Sequence, residues 1–370
     1  MAIGAELPVR RVVPIIVLAA ACVGMCFLPG PRKLADAQGE TSRAEVVEVD
    51  DSGLQVHGLV EFGTQKLKVR LPDGSVHDAH NEIRAQMELD KKFRVGDTAL
   101  VVLGADPLIA RDHWRLGWMS VLFGGFVLLL VVFAGWTGAK ALFSFVFSCF
   151  AVWKLLIPLC LGGWSAPWVS FATVSVLTAV IMYLVAGATR KGLAAFIGAM
   201  LGVGASLVLA HFFAAAMNVN GATMPFVQTL LYSGYVDLDL MDVFTGAVVL
   251  ASSGAVMDLA MDIAASVEEV ARHTPDLSRR ELVLSGLRVG RSVVGTMTTT
   301  LLLAYSGGYL TLLMVFAAQG THPLDFVNSA LVSAEVVKTL VGSFGLVLVA
   351  PFTALVSAAL FGRRHAQAVG

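Results

Sequence analysis

The sequence predicts an α-helical polytopic membrane protein of about eight transmembrane helices, with a small exported β-barrel-like domain, OB or SH3-like, between the first and second spans. Three observations predict it. Hydrophobic residues make up 56% of the 370 residues and charged ones only 14%, with a mean hydropathy of +0.77, whereas a soluble domain carries about 25% charge. Apolar runs of about 20 residues or more recur along the chain, and at 1.5 Å per residue each is long enough to cross a hydrocarbon core of about 30 Å. One stretch, residues 36–112, has ordinary soluble composition. The formal net charge of −1 gives no global bias toward nucleic acid.

Arg10 and Arg11 precede an apolar run from Val12 to Leu28. Charge before such a run reads as a signal anchor, so residues 1–35 are assigned to an N-terminal first span. Ala35-Asp36-Ala37 offers a rival small-x-small cleavage site. The run exceeds the usual 7–15-residue core of a cleaved signal peptide, which favours the anchor. Both readings export the segment that comes next.

Within residues 36–112, Lys66–Leu71 alternates polar and apolar, the period of a half-buried strand. Pro72-Asp73-Gly74 is a turn signal, because proline fixes φ and glycine permits positive φ. Glu45–Val49, Leu54–Phe62 and Thr98–Leu103 are further strand candidates, and Asn81–Leu89 is a candidate short helix. Strands this short and this dense suggest a small barrel. His57, His77, His80 and Asp78 are metal-ligand types, but surface positions on strands account for them and no metal is assigned. Cys22, Cys26, Cys149 and Cys160 lie inside apolar runs without metal or redox spacing and read as packing residues. No cofactor is implied.

Residues 113–370 form the expected seven-helix membrane domain, with runs at 117–135, 141–162, 166–187, 192–216, 241–267, 292–316 and 339–361. With Arg10 and Arg11 inside, alternate connections carry Lys140, then Arg190 and Lys191, then Arg272, Arg279, Arg280 and Arg288, and the tail carries Arg363 and Arg364. The opposite connections are nearly free of Lys and Arg, with Lys338 the exception. This positive-inside pattern places both termini in the cytoplasm and residues 36–112 on the opposite side of the membrane.

The candidate chemistry lies between Met241 and Gly308. Asp258 and Asp262 are one helical turn apart in an apolar run, and an acid at membrane depth costs about 2.5–3.5 kcal/mol on insertion scales. At about 100° per residue, Ala247, Ala251, Asp258, Asp262 and Glu269 share one face, which is small at one end and acidic at the other. Such carboxylates can bind a proton or a hard cation. Glu268 and Glu269 read as solvated boundary acids. Arg291, which opens the next run, is either the counter-charge of Asp258 or a boundary arginine. Thr296, Thr298, Thr299 and Thr300 follow it in several directions, and some must bond back to the preceding turn. Ser306-Gly307-Gly308 is a flexible break.

Secondary candidates are Glu335, Asp242 and Lys154. Glu335 and Lys338 are spaced to pair with each other. Asp237, Asp239 and Asp242 stand at the mouth of their span and can attract cations, or are ordinary loop acids. Lys154, inside a run, either snorkels or is a buried counter-ion. Gly198-x-x-x-Gly202-x-Gly204 permits close helix approach, Pro351 predicts a kink or a broken helix, and the lone His211 reads as a packed or hydrogen-bonded residue rather than a ligand. No nucleotide loop, zincin helix or Ser/His/Asp order stands out, so an enzyme is not expected.

Gly254–Glu269 followed by Gly290–Tyr305, with one N-terminal span, an exported β domain and then a block of spans, resembles the YibE/F-like family of bacterial membrane proteins. In that family the second motif usually has Asp after the Arg and Asn inside the Thr cluster, where this chain has Ser292 and Thr299. The resemblance implies a multi-pass membrane protein, sometimes called a permease. The expected function is therefore transport of a small molecule or ion, proton- or cation-coupled through the intramembrane aspartates. The alternative is a non-transporting assembly or sensing protein whose exported domain binds a partner. Expected partners are the lipid bilayer and a small molecule or ion, with a second copy of the chain or a paralogous membrane protein as candidates.

Overall fold

The computed structural model describes Gly24, residues 39–87 and residues 89–362. The expected anchor at 12–28 (Gly24 excepted), Ala35–Ala37 and Arg363 and Arg364 lie outside the described residues. The chain divides into two units, Pro31–Phe133 and Met1–Gly30 with Ala134–Gly370.

The first unit holds six strands: β1 (Thr41–Asp50), β2 (Leu54–His57), β3 (Val60–Arg70), β4 (Val76–Arg84), β5 (Thr98–Val102) and β6 (Leu108–His113). Their order is β1-β5-β6-β4-β3-β2, and β1 also pairs with β3, which closes five of them into a barrel. The β4–β6 pairing is parallel and the rest are antiparallel. Alternation along β3 explains the closure. Gln65, Leu67 and Val69 point inward and are buried, while Lys66, Lys68 and Arg70 point out. Inside, Leu67 and Val69 meet Val46, Ala79, Phe93, Ala99 and Val101.

The expected run Leu54–Phe62 is two strands, because Gly58 turns the chain at φ 63°. The expected helix over Asn81–Leu89 does not form, since Asn81–Arg84 completes β4. Asn81 and Ile83 keep the strand period on the inner face, and Asn81 Nδ2 donates to Gln65 Oε1 (3.2 Å) and Lys91 O (2.6 Å). Gln65 in turn donates to Phe93 O (3.0 Å) and Asp51 Oδ1 (2.8 Å), and accepts from Phe93 N (3.0 Å). This buried amide pair pins Lys91 and Phe93 to the barrel. Most buried polar side chains are bonded in this way, and of this pair only Asn81 Oδ1 has no partner among the described residues.

The helices are α1 (Leu116–Ala151), a π-helical turn (Val152–Leu156), α2 (Ile157–Leu161), α3 (Ala166–Ala186), α4 (Arg190–Ala216), α5 (Val227–Tyr232), α6 (Leu240–His273), α7 (Arg279–Gly308), α8 (Leu310–Ala318), α9 (Pro323–Asn328) and α10 (Ala330–Phe361). Among the described residues, five helical stretches are long and apolar enough to cross a membrane, or six if α7 and α8, bent by 66°, count as one broken span. The expected runs 117–135 and 141–162 fall in a single stretch, Leu116–Leu161, interrupted at Gly135, whose φ of 55° and ψ of −129° are not helical. The α7–α8 bend falls at the predicted break. The π-turn has a local cause in Pro158. Proline has no N–H to give the carbonyl of Lys154 four residues back, and its ring crowds that carbonyl. Ile157 N–H bonds to Val152 O, the wider π spacing. Pro351 lies inside α10 without ending it.

The centre of the second unit is α4, α6 and α10, with Val203, Val256, Leu259, Ile263, Leu346 and Val349 fully buried. Small residues let these helices approach, as in membranes generally. A methyl group on Gly202 would come 3.0 Å from Val349 Cβ and from Val256 Cγ1. Thr353 occupies the space over Gly198, and Ser206 that over Gly345. Gly246 of α6 sits against Ala166 and Ser170 of α3. On α7, Gly286 meets Val267 and Ala354, and Gly290 meets Ile263 and Ala350.

Candidate functional site

Helix α6 buries Phe244, Val249, Val256, Leu259, Ile263 and Val267. Its opposite face carries Ala247, Ala251, Gly254, Asp258 and Asp262, all exposed on the surface of the unit. Those residues recur at three- and four-residue intervals, so the stripe is continuous. A side chain at Gly254 would meet nothing within 4 Å. The structure therefore brings together the small and acidic positions the spacing predicts. At the end of the helix Glu269 accepts from Arg272 (2.8 Å) and lies 2.7 Å from His273 Nε2. Glu268 lies 3.4 Å from Lys191. Both are thus paired at this end of α6.

Arg291 does not pair with Asp258: no hydrogen bond or ion pair joins them. The reason is rotational. Gly286 and Gly290 turn toward α6 and α10, which leaves Arg288, Arg291, Ser292, Gly295, Thr296 and Thr299 on the exposed side of α7. Thr298 is half-buried. Each threonine bonds back to its own helix: Thr296 to Val293 O (2.9 Å), Thr298 to Val294 O (2.7 Å), Thr299 to Gly295 O (3.1 Å) and Thr300 to Thr296 O (3.0 Å).

The secondary candidates fall elsewhere. Lys338 Nζ is 2.6 Å from Glu335 Oε1, each side chain 20% exposed, and lies 5.8 Å from the Phe244 ring centroid. The pair expected at this spacing is formed. Asp242 is structural: its N–H bonds to Asp239 Oδ1 (3.0 Å), capping α6, and its carboxylate accepts from Ser165 Oγ (2.9 Å) before α3. Lys154 lies half-buried in the π-turn with no hydrogen bond or ion pair among the described residues. His211 is exposed rather than packed. Among the described residues no three His, Cys, Asp or Glu side chains are grouped to hold a metal ion; His77 bonds to Ser75 Oγ at 2.9 Å.

Sequence reasoning missed a set of hydroxyls inside the bundle. Ser206, Thr245, Thr339, Thr353 and Ser357 are buried, and their hydroxyl oxygens have no hydrogen-bond partner among the described residues. Thr353 and Ser357 recur at helical spacing on α10, the one signal that points to them.

The two acids on a long apolar helix, the arginine-threonine helix beside it and the bundle around them define a membrane-embedded helical protein. Residues 122–363 match the family described as YibE/F-like protein, and the chain belongs to that family. No curated protein and no solved structure matches the chain.

Proposed function

We propose that the chain is a permease of a bacterial inner membrane, with Asp258 and Asp262 binding the coupling proton or cation. The observation that carries this reading is the stripe on α6. Two carboxylates without a counter-charge among the described residues stand at the end of a small-residue face, where a hydrated path can come close. In this reading Leu116–Leu161 crosses twice, turning at Gly135. The anchor and the α7–α8 broken span complete eight crossings, with both termini cytoplasmic and the barrel outside. The barrel is of the OB type: a five-strand closure with one parallel contact, between its third and last strands, supports that assignment.

The test is a substrate-profiled flux assay in proteoliposomes comparing wild type with Asp258→Asn. Loss of flux with intact folding supports coupling through Asp258, whereas equal flux removes the acid from the mechanism.

A second reading, a partner-binding assembly or sensing protein, is favoured by one observation. A groove of ≈ 540 Å³ on the barrel is lined by Lys66, Lys68, Asp78, His80, Asp106 and Pro107 among others, on the strand face and β5–β6 loop that OB folds use for ligands. Failure of every substrate in the flux assay, with binding retained by the barrel, would move the assignment there.

A further inference from the structure

Two exposed stripes of opposite charge run along neighbouring helices, and neither has a partner among the described residues. On α6 the charges are Asp258 and Asp262; on α7 they are Arg288 and Arg291. None of the four makes a hydrogen bond or ion pair with a described residue. Ile263 lies against Gly290 and Val267 against Gly286. The two helices are antiparallel, so this register sets Asp262 level with Arg291, and Asp258 level with Gly295 one turn further on.

The two stripes cannot meet within one protomer. Asp258 and Asp262 lie about 100–180° around α6 from Ile263 and Val267, which touch α7. Arg288 and Arg291 lie about 100–160° around α7 from Gly286 and Gly290. Each charged stripe thus faces away from the contact between its helices.

We propose that these stripes are the two halves of a head-to-tail interface between copies of this chain, with Asp262 of one protomer bonded to the partner's Arg291. Charge complementarity names the occupant. A copy related by rotation about the membrane normal keeps every residue at its own depth, so it presents an arginine level with Asp262. The surfaces that meet differ, so the interface is heterologous, and repeating it closes a ring. Small residues flank the charges on both sides: Ala251 and Gly254 on α6, Ser292 and Gly295 on α7. Small residues of this kind let helices approach closely in a bilayer. Asp258 faces the partner's Gly295, whose open surface brings no counter-charge, and stays free. In the assembly Asp262 is held by the arginine, so the coupling role proposed above falls to Asp258; the interface itself does not depend on transport.

Charge reversal tests it. Chains per particle are counted by single-molecule photobleaching in nanodiscs of zwitterionic lipid. Wild type should show more than one chain. Asp262→Arg alone and Arg291→Asp alone place like charges across every interface and should each be monomeric. The two single variants co-expressed should reassemble in alternation. At one interface the two introduced charges then meet with opposite sign, and at the next the native Asp262–Arg291 pair forms. The double variant should also assemble. A monomeric wild type, or single variants that stay assembled, would overturn the proposal. So would rescue by the double variant without rescue by co-expression, since that is the mark of a contact within one chain.

A second measurement guards against misfolded variants. Two differently tagged chains, one Asp262→Cys and one Arg291→Cys, both with Cys22, Cys26, Cys149 and Cys160 changed to Ser, should be joined by a short bismaleimide into a product carrying both tags. Its absence counts against the interface. Loss of co-purified anionic lipid from a monomeric Arg291→Asp, with a monomeric wild type, would give the arginine stripe to lipid headgroups instead.

Discussion

Thr353 of α10 fills the space over Gly198 of α4, and eight residues along the same contact the exchange is reversed, with Ser206 of α4 over Gly345 of α10. Each helix is thin where the other carries a hydroxyl. A methyl group at Gly198 would overlap Thr353 Oγ1 and stand 2.8 Å from its Cα, so backbone as well as side chain blocks it.

Gly198→Val should therefore lower the thermal midpoint in detergent, since overpacking of a tight core costs about 1–3 kcal/mol or more. Gly254→Ala and Gly295→Ala, where a side chain meets nothing within 4 Å, should leave the midpoint of the monomer unchanged. Thermal unfolding followed by size-exclusion fluorescence separates the cases. Equal effects at all three positions would mean that helix propensity, not packing, is being measured.

In the barrel, Gln65→Leu should destabilise by roughly 2–4 kcal/mol, because it strands the N–H and C=O of Phe93 away from water. Residues 36–113 expressed alone should give a strand-type circular dichroism spectrum, and urea unfolding of that fragment reads the difference. The Phe93 amide should lose hydrogen-exchange protection first. A wild-type midpoint for Gln65→Leu would show that this clamp contributes nothing.

Barrel stability should fall in acid and in strong base. The Ser75 hydroxyl and N–H hold Asp73 below the usual carboxylate range, and the Arg84 guanidinium does so for Glu82. A folded pKa below the unfolded one adds stability above the unfolded value that is lost as pH falls through the folded value. That loss begins below about pH 4. Bonds donated by Lys68 to Glu48 and by Lys92 to Glu61 raise both amines. Their contribution is present below the unfolded value of about 10.4 and is lost as pH rises through the higher folded values. The thermal midpoint of the fragment should thus be flat from about pH 5 to 9. Ser75→Ala removes the hydroxyl bond and keeps the N–H one, so it should soften the acid edge, and an acid edge it leaves unchanged would exclude the Ser75 hydroxyl as a contributor.

Cysteine labelling reads the orientation. A maleimide that cannot cross membranes should reach a cysteine at Ser75 in intact cells, and one at Ser278 only after permeabilisation. Labelling of Ser278 from outside would reverse the proposed topology.

The sequence carried the long apolar helices, the barrel and the common face of the two acids, because period and composition encode which residues share a face, but not the span count, which is five or six among the described residues against the eight expected. Helical spacing put Asp258 and Asp262 on one face with Ala247 and Ala251, and the folded helix keeps them there. The partner of Arg291 was not legible, because one helix wheel gives no rotation relative to the next. That rotation is set by Gly286 and Gly290, whose significance shows only once Val267 and Ile263 stand opposite. The short helix over Asn81–Leu89 failed for a related reason. Its first four residues follow the strand period, but Asn81 looks polar until Gln65 and Lys91 O stand beside it. The reciprocal Gly198–Thr353 contact joins residues far apart in sequence, and only the glycine spacing hinted at it.

The barrel's closure has a mechanical consequence. Apart from the four residues of β2, which pair on one side with β3 alone, every strand is held along two seams. A strand in an open sheet can peel away by breaking one row of bonds. Here β1 cannot leave β3 without also straining its seam with β5, and through β5 and β6 the loss reaches β4. The five closed strands should open as a single cooperative block, with nearly equal opening free energies, while β2 frays independently. A pull applied through the chain at Thr41 or at His113 would meet that block whole.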